Sequence, residues 1–426
     1  MLDLRRIREE TALVKAGLAR RGNPAHLAGI DRVIELDEQR RALIGEVEAL
    51  RARRNEESQK VATLKREKKN DEADAIIRST RELGERMTSL EARLGEVETA
   101  LRDTLLVIPN IPDEVVPEGG ESASLVLREW GGEPSFAFQP KPHWEIGENL
   151  GILDLARGAK LAGSGFVVLR GTGARLTRAL MSFFLDVHTR EHGYEEVWVP
   201  LLANRATMTG TGQLPKFADD MYHVVGDDLF LVPTAEVPVT NLYRDELLAE
   251  DQLPLGHVAY TPCFRREAGA AGKDTRGLLR LHQFDKVEIV RFTTPEQSPE
   301  EHERLTRHAE VLLERLELPY RRVLLAAGDT GHGNAKTWDL EGWAPGVGKW
   351  LELSSCSTFT DYQARRANIR YRPAGGGKPR FVHTLNGSGL AFPRVIACLL
   401  EHHQQADGSV AVPAALRPYL GTDVIR

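Results

Sequence analysis

Arg265 and Glu267 are the first pair whose types and spacing suggest chemistry. They lie in the stretch Thr261 to Val290, TPCFRREAGAAGKDTRGLLRLHQFDKVEIV, in which two β-rich runs flank a Gly-rich, basic loop. Side chains two apart on a strand point to the same face, so a strand here would aim a guanidinium and a carboxylate into one cleft. A guanidinium clamps a phosphate through two parallel hydrogen bonds, and a carboxylate accepts from an exocyclic amine. On the returning run Phe284 and Lys286 share one face, and Asp285 and Val287 the other. A phenyl ring on the cleft side can stack on a purine. An isolated Arg/Glu pair is more often a surface salt bridge; the basic loop is what favours a nucleotide.

Other reactive side chains read as structural. Cys263 and Cys356 are expected to be small packed thiols, and Cys398 completes a set too small for a disulfide framework, with no CxxC pair for zinc. No zinc is expected. His188 and His192 have helical i, i+4 spacing but lack the Glu of HExxH, so a solvated or partner-bound pair is expected. His402 and His403 are taken as structural, and His282 receives no catalytic step.

The elements that must position these residues differ between the two ends of the chain. From about 26 to 106 there is no proline, and two heptad segments follow one another. Leu36, Leu43, Leu50 and Leu64 with Val33, Val47 and Val61 form the rows of the first; Ala73, Met87, Leu94 and Leu101 with Ile76, Leu83, Leu90 and Val97 form those of the second. Apolar rows at a mean spacing of 3.5 make helices pair along a seam, and the polar run at 68–71 suits a reversal. An antiparallel hairpin with helices roughly 50 to 60 Å long is predicted. Its seam weakens towards the tip, where Arg54 and Glu57 take row positions, as Arg40 does nearer the base. The tip half of the first helix carries Arg51, Arg53, Arg54, Lys60, Lys65, Arg66, Lys68 and Lys69. A basic rod of this kind suits a phosphate backbone, although charge runs are commonly just solvated faces.

Prolines 109, 112 and 117 with Gly119 and Gly120 mark a linker over 109–120. Beyond it, short β-rich runs without regular helix alternation predict an antiparallel sheet flanked by helices, an α+β fold. Ala174 to His192 is the clearest helix there, and Gly375 to Lys378 is a loop. The 426 residues, 41% hydrophobic and 28% charged, suffice for two or three domains. The net charge of −6 argues against indiscriminate nucleic-acid binding, although it averages over regions that differ. No apolar run suits a membrane helix and the charged start offers no signal peptide, so a cytoplasmic protein with no membrane association is expected.

The FRxE strand–loop–strand resembles motif 2 of class II aminoacyl-tRNA synthetases, and the wording FRREAG…DTRGLLRLHQFDKVE resembles the seryl members. TGQLPKF (211–217), PTAE (233–236), ELSSCS (352–357), DYQARRANIRYR (361–372) and LNGSGLAFPR (385–394) follow the same pattern, and Pro200 matches the motif 1 proline at that family's dimer interface. The resemblance covers essentially the whole chain. It implies an N-terminal tRNA-binding domain over 1–108 and a class II catalytic domain over 121–426, with motif 1 at about 174–200, motif 2 at about 261–290 and motif 3 at about 385–404.

It also implies roles. Arg265 would hold the α-phosphate of ATP, Glu267 the adenine amino group and Phe284 the ring; Arg276 would meet the outer phosphates and Arg394 the other face of the adenine or the γ-phosphate. Arg266, Leu281, Leu353 and Ser354 would complete the ATP site. Glu352 and Ser355 would hold Mg²⁺, so that Arg265, Glu352 and Arg394 are the catalytic set. L-Serine would be held by Thr234, Ala235 through its backbone, Glu236, Arg265, Glu288 and Ser388. Arg51, Arg54, Lys60, Lys65 and Lys68 would meet tRNA(Ser) through its long variable arm, and tRNA(Sec) as well; a homodimer is implied. Four departures stand out: Arg266 for a serine, Leu353 for a β-branched residue, Phe392-Pro393 for a smaller pair, and His332 for an aromatic residue.

Two other readings make different demands on the sequence. A relative that charges a carrier protein would lack the hairpin and use zinc. A catalytically silent paralogue acting as an RNA-binding or structural protein would be expected to lose the ATP arginines or Mg²⁺ ligands, which are all in place. A coiled coil has no pockets for splayed bases, so its recognition should be of RNA shape and backbone.

Overall fold

A computed structural model describes residues 1–132, 134–268 and 276–426. The middle of the expected motif 2 loop therefore lies outside the described residues. The chain divides into two compact units: residues 2–19 with 23–108, and residues 1, 20–22 and 109–426.

In the first unit, helices α1 (Leu4–Glu9) and α2 (Thr11–Ala19) precede α3 (Ala25–Arg66) and α4 (Asn70–Val107). At 1.5 Å per residue the 42 residues of α3 span about 63 Å. The helices reverse over 67–69, with Lys68 in the left-handed region at φ 62°. The seam follows the heptads: Val33, Leu36, Leu43 and Val47 are buried on α3, and Leu83, Met87, Val97 and Leu101 on α4. Towards the tip the seam turns polar. Glu57 accepts from Arg53 Nε at 3.0 Å and from Thr80 Oγ1 at 3.3 Å. At the base, Asp37 is buried and paired with Arg8, Arg40 and Arg41.

The second unit is built on an eight-stranded sheet of β1 (Leu125–Trp130), β2 (Glu195–Glu196), β3 (Leu255–Phe264), β4 (Gln283–Thr293), β5 (Tyr320–Leu324), β6 (Lys336–Ala344), β7 (Lys349–Thr360) and β8 (His383–Ala391). Their spatial order is β1-β5-β6-β7-β8-β4-β3-β2, antiparallel except for the β2–β3 pair. Three helices, α5 (Thr172–Arg190), α6 (Ser298–Arg315) and α7 (Phe392–His402), contribute Phe183, Phe184, Leu305, Leu312, Val395 and Leu399 to a core that includes Val287, Ile289, Leu340 and Leu385 of the sheet. Burial of such side chains is worth about 1.5–3 kcal/mol each. The mixed order and long central strands make this an α+β fold.

The segment expected as a linker packs on this unit. Asn110 is buried, donating from Nδ2 to the carbonyls of Gly333 at 3.0 Å and Phe359 at 2.8 Å, while Arg21 Nε donates to the Asn110 carbonyl at 2.7 Å. Proline spacing signals a break in helix but says nothing about what the extended chain then packs on. Among the described residues, no helix is long and apolar enough to cross a membrane.

Candidate active site

Strand alternation on β4 divides core from cavity. Val287 and Ile289 face the helices, while Phe284, Lys286 and Glu288 line recesses in the sheet. The larger recess, about 600 Å³, is lined by Thr234, Glu236, Arg265, Glu267, Lys286, Glu288, Glu352, Ser355 and Ser388, among others. An adjoining one of about 210 Å³ adds Leu281, Phe284, Leu353 and Arg394 and shares Arg265, Glu267, Lys286, Glu352 and Ser388. Arginines, carboxylates, a serine hydroxyl and an aromatic ring drawn from β4, β7, β8, α7 and the chain after β3 therefore converge in one place.

Glu352 and Ser355 are three apart, and on a regular strand they would face opposite ways. They do not, because β7 carries a bulge: Leu340 pairs with Ser354 and Glu341 with Glu352, leaving Leu353 unopposed. Leu353, which also edges the smaller recess, and Cys356 are buried in the core, whereas Glu352, Ser355 and Ser357 line the larger cavity. Bulges re-aim side chains in this way beside functional sites. Arg394, at the start of α7, donates to the Glu352 carbonyl at 2.9 Å and lies 3.3 Å from its carboxylate.

Arg265 and Glu267 share the cavity by a different route from the one expected. β3 ends at Phe264, so neither lies on a regular strand. The Arg265 N–H still donates to the His282 carbonyl at 2.9 Å, but Glu267 has φ 53°, and its carboxylate meets Arg280 in a close ion pair. A left-handed residue resets the direction of the chain, and it is this turn, not period-two alternation, that aims the carboxylate. The Arg265 guanidinium sits 5.2 Å from the Phe284 ring centroid and donates from Nε to the Pro233 carbonyl at 3.3 Å.

At the other end of the cavity, Lys286 Nζ donates to Thr234 Oγ1 at 2.8 Å and lies 2.5 Å from Glu288 Oε2. Glu236 opens a short helix, Glu236–Thr240, and accepts from Gln363 Nε2 at 2.7 Å. Burial first, then the neighbouring Glu288 charge, pushes the Glu236 carboxyl up to about 7, against the pull of Gln363, Lys286 and Arg265.

Some expected residues are elsewhere. Arg266 turns away, donating to the Asp219 carbonyl at 3.0 Å; Arg276 lies over the Trp144 ring at 4.6 Å. Neither lines either recess. Ala235 and Ser354 are buried, and the Ser354 hydroxyl donates to the Ser388 carbonyl at 2.7 Å, behind the cavity wall. Sequence reading missed Arg280, Gln363 and Asn386 and gave Lys286 a face but no role. Only Lys286 carried a signal, its alternation with Phe284 and Glu288.

Among the described residues no three His, Cys, Asp or Glu side chains are grouped to hold a metal. The donors that do stand together are hard oxygens of the kind Mg²⁺ prefers. Asp339 pairs with Ser355 across the sheet; its Oδ1 is buried without a hydrogen-bond partner among the described residues, and burial and the Glu352 charge push its carboxyl well up. A carboxyl that resists ionisation beside Glu352 is an arrangement that a cation would relieve. Cys263, Cys356 and Cys398 are all buried thiols. His188 is buried rather than solvated, with its Nδ1 3.1 Å from that of His192.

On the hairpin, Arg51 is paired with Glu91 at 2.6 Å and Lys60 with Glu56 at 2.8 Å. Arg54, Lys65 and Lys68 are exposed and have no ion pair among the described residues.

Comparison with known proteins bears on both units. Residues 1–112 match the seryl-tRNA synthetase N-terminal domain, and residues 221–403 the tRNA synthetase class II core domain (G, H, P, S and T). The serine--tRNA ligase of Gemmatimonas aurantiaca is 60% identical over 426 residues, all of both chains, and that of Geobacillus kaustophilus 56% identical over 428, again the whole of both. Among solved structures, a seryl-tRNA synthetase from Pyrococcus horikoshii complexed with ATP superposes with a TM-score of 0.94 at 38% identity, covering 100% of this chain and 99% of that one.

Proposed function

This chain belongs to the seryl-tRNA synthetase family, and from that premise we propose how its residues divide the work. The enzyme activates L-serine with ATP and transfers the seryl group to tRNA(Ser). In activation the serine carboxylate attacks the α-phosphorus, pyrophosphate leaves, and no protein nucleophile is needed. Catalysis is positioning and charge neutralisation.

Arg265 holds the α-phosphate and stabilises the charge that builds as attack proceeds. Phe284 and Arg394 sandwich the adenine, Glu267 accepts its amino group, and Leu281 lines its edge. Glu352 and Ser355 would hold Mg²⁺, which would neutralise phosphate charge. Thr234, Glu236, Glu288 and Ser388, with the Ala235 backbone, take the ammonium and hydroxyl of serine. The observation that carries this reading is the convergence of Arg265, Glu352, Arg394 and Glu288 on one pair of adjoining recesses. Arg266, Arg276 and Ser354 act from outside them, Arg276 by leaving Trp144. A silent paralogue is disfavoured because no charge that the chemistry needs is missing.

Residues 1–108 act as the tRNA-binding domain, and 121–426 as the catalytic one. The hairpin takes the long variable arm of tRNA(Ser), and of tRNA(Sec), by backbone charge and shape. Arg54, Lys65 and Lys68 are among its exposed cations without an ion pair in the described residues, with Arg51 and Lys60 exchanging carboxylate for phosphate. A homodimer is supported by Trp198, 85% exposed, in an apolar stretch with Pro200, Leu201 and Leu202 beside the edge strand β2; a cytoplasmic location is proposed with it.

Serine-dependent ATP–pyrophosphate exchange tests the reading. Alanine and glycine, which leave the hydroxyl partners unpaired, should be disfavoured by a factor on the order of 10⁴. Exchange that proceeds equally well without serine, or with alanine in its place, would overturn it.

A further inference from the structure

Gln363 has no place in the roles above, yet it is 1% exposed and bonded to a carboxylate of the serine site. It sits on the short helix Tyr362–Ala367, remote in sequence from everything it touches. Its Nε2 donates to Glu236 Oε1 at 2.7 Å and, at 3.4 Å, to the carbonyl of Thr211. Its Oε1 accepts from Thr384 Oγ1 at 2.7 Å, and Thr384, also 1% exposed, belongs to β8, the strand that carries Ser388.

This network has only one sense. The Thr211 carbonyl cannot donate, so the amide must turn its NH₂ towards Thr211 and Glu236, and its oxygen then needs the Thr384 proton. The flipped amide would set a carbonyl oxygen against a carboxylate and against another carbonyl. Glu236 Oε1 is therefore committed to Gln363, leaving Oε2 as the oxygen available to the cavity that Glu236 lines.

We propose that Gln363, locked by Thr384, is a positioning residue that fixes the rotation of the Glu236 carboxylate and holds it ionised to receive the serine ammonium. The proposal rests on the serine-site reading above. The charged groups facing Glu236 are Glu288, which opposes its ionisation, and Lys286 and Arg265, which favour it; burial opposes it more than any of them. Removing the amide donor leaves that balance tilted towards the protonated acid, which cannot meet an ammonium as an ion pair.

The test is ATP–pyrophosphate exchange as a function of serine, ATP and pH on the full chain. For Gln363→Leu the serine KM should rise about 10- to 100-fold, and the acid limb of kcat/KM for serine should move up by roughly one pH unit. The ATP KM should stay within about twofold, because Gln363 bonds to no residue of the nucleotide recess. Thr384→Val, which keeps the shape and loses the hydroxyl, should move the serine KM the same way by about three- to tenfold. A folded Gln363→Leu enzyme with an unmoved limb and serine KM overturns the proposal; if that variant does not fold, the same null result in Thr384→Val overturns it. Wild-type enzyme without serine-dependent exchange would instead sink the serine-site reading itself.

Discussion

The hairpin and the sheet solve opposite problems with the same side chains. Beyond its base the hairpin packs along one seam, and Gly45, Gly84 and Gly95 have nothing within 4 Å of where a Cβ would go. In the sheet, a Cβ on Gly387 would meet Leu305 Cδ2 at 2.5 Å, and one on Gly389 would meet His188 Nε2 at 2.7 Å. A change in the hairpin stays local; a change under the cavity is felt by strands that are distant in sequence. The first architecture tolerates substitution and suits a long charged surface. The second enforces positions to fractions of an ångström, which chemistry on a phosphate requires.

The largest expected effect separates the two outright. Replacing residues 35–100 by a short turn should abolish aminoacylation of tRNA(Ser) while leaving pyrophosphate exchange within a few-fold of the intact enzyme; equal loss of both would make the hairpin part of the catalytic fold. Arg265→Ala should cut exchange by about 10²- to 10³-fold with little change in melting temperature, and retained activity would refute its phosphate role. Next comes pH. With the Glu236 carboxyl near 7, kcat/KM for serine should fall about tenfold per unit below that value.

The same carboxyl is protonated in the folded chain and ionised in the unfolded chain between its usual 4.5 and about 7. Its contribution to stability therefore declines as pH rises through that window, which chemical denaturation at pH 5 and 7 in the wild type and Glu236→Gln would expose. Smaller still, Gly389→Ala should cost about 1–3 kcal/mol, whereas Gly84→Ala or Gly95→Ala should add about 0.5–1 kcal/mol. Opposite signs in melting experiments are the result that sustains the contrast. The least effect is expected of Lys65→Ala, which should lower the salt dependence of tRNA binding by about one ion and leave exchange untouched.

What could be read from sequence follows the same division. The hairpin's heptads are local, so the reversal expected at 68–71 and found over 67–69 needed no knowledge of the rest of the chain. The alternation of Phe284, Lys286 and Glu288 was likewise legible, because β4 pairs with β3 without interruption. Glu352 and Ser355 were not derivable from alternation, which separates them; only resemblance joined them, and the bulge explains why. Glu267 reached the cavity through a left-handed turn that its residue type does not advertise. Gln363, Thr384 and Glu236 come together from three distant segments, and no spacing in the chain announces such a meeting. Arg266 and Arg276 carried the right charge in the right motif, but charge does not specify which way a loop side chain is turned.

The unopposed Leu353 has an evolutionary consequence. A strand counts its residues modulo two, and that one supernumerary position changes the count between Glu352 and Ser355 from odd to even. Point substitutions at Leu353 keep the count, so lineages can drift there among apolar residues without touching the oxygens on either side. Loss of that one position would leave Glu352 and Ser355 two apart and still on one face, whereas insertion of a further residue between them would turn one of the two towards the core; the parity of the strand, more than the identity of Leu353, is what keeps them together.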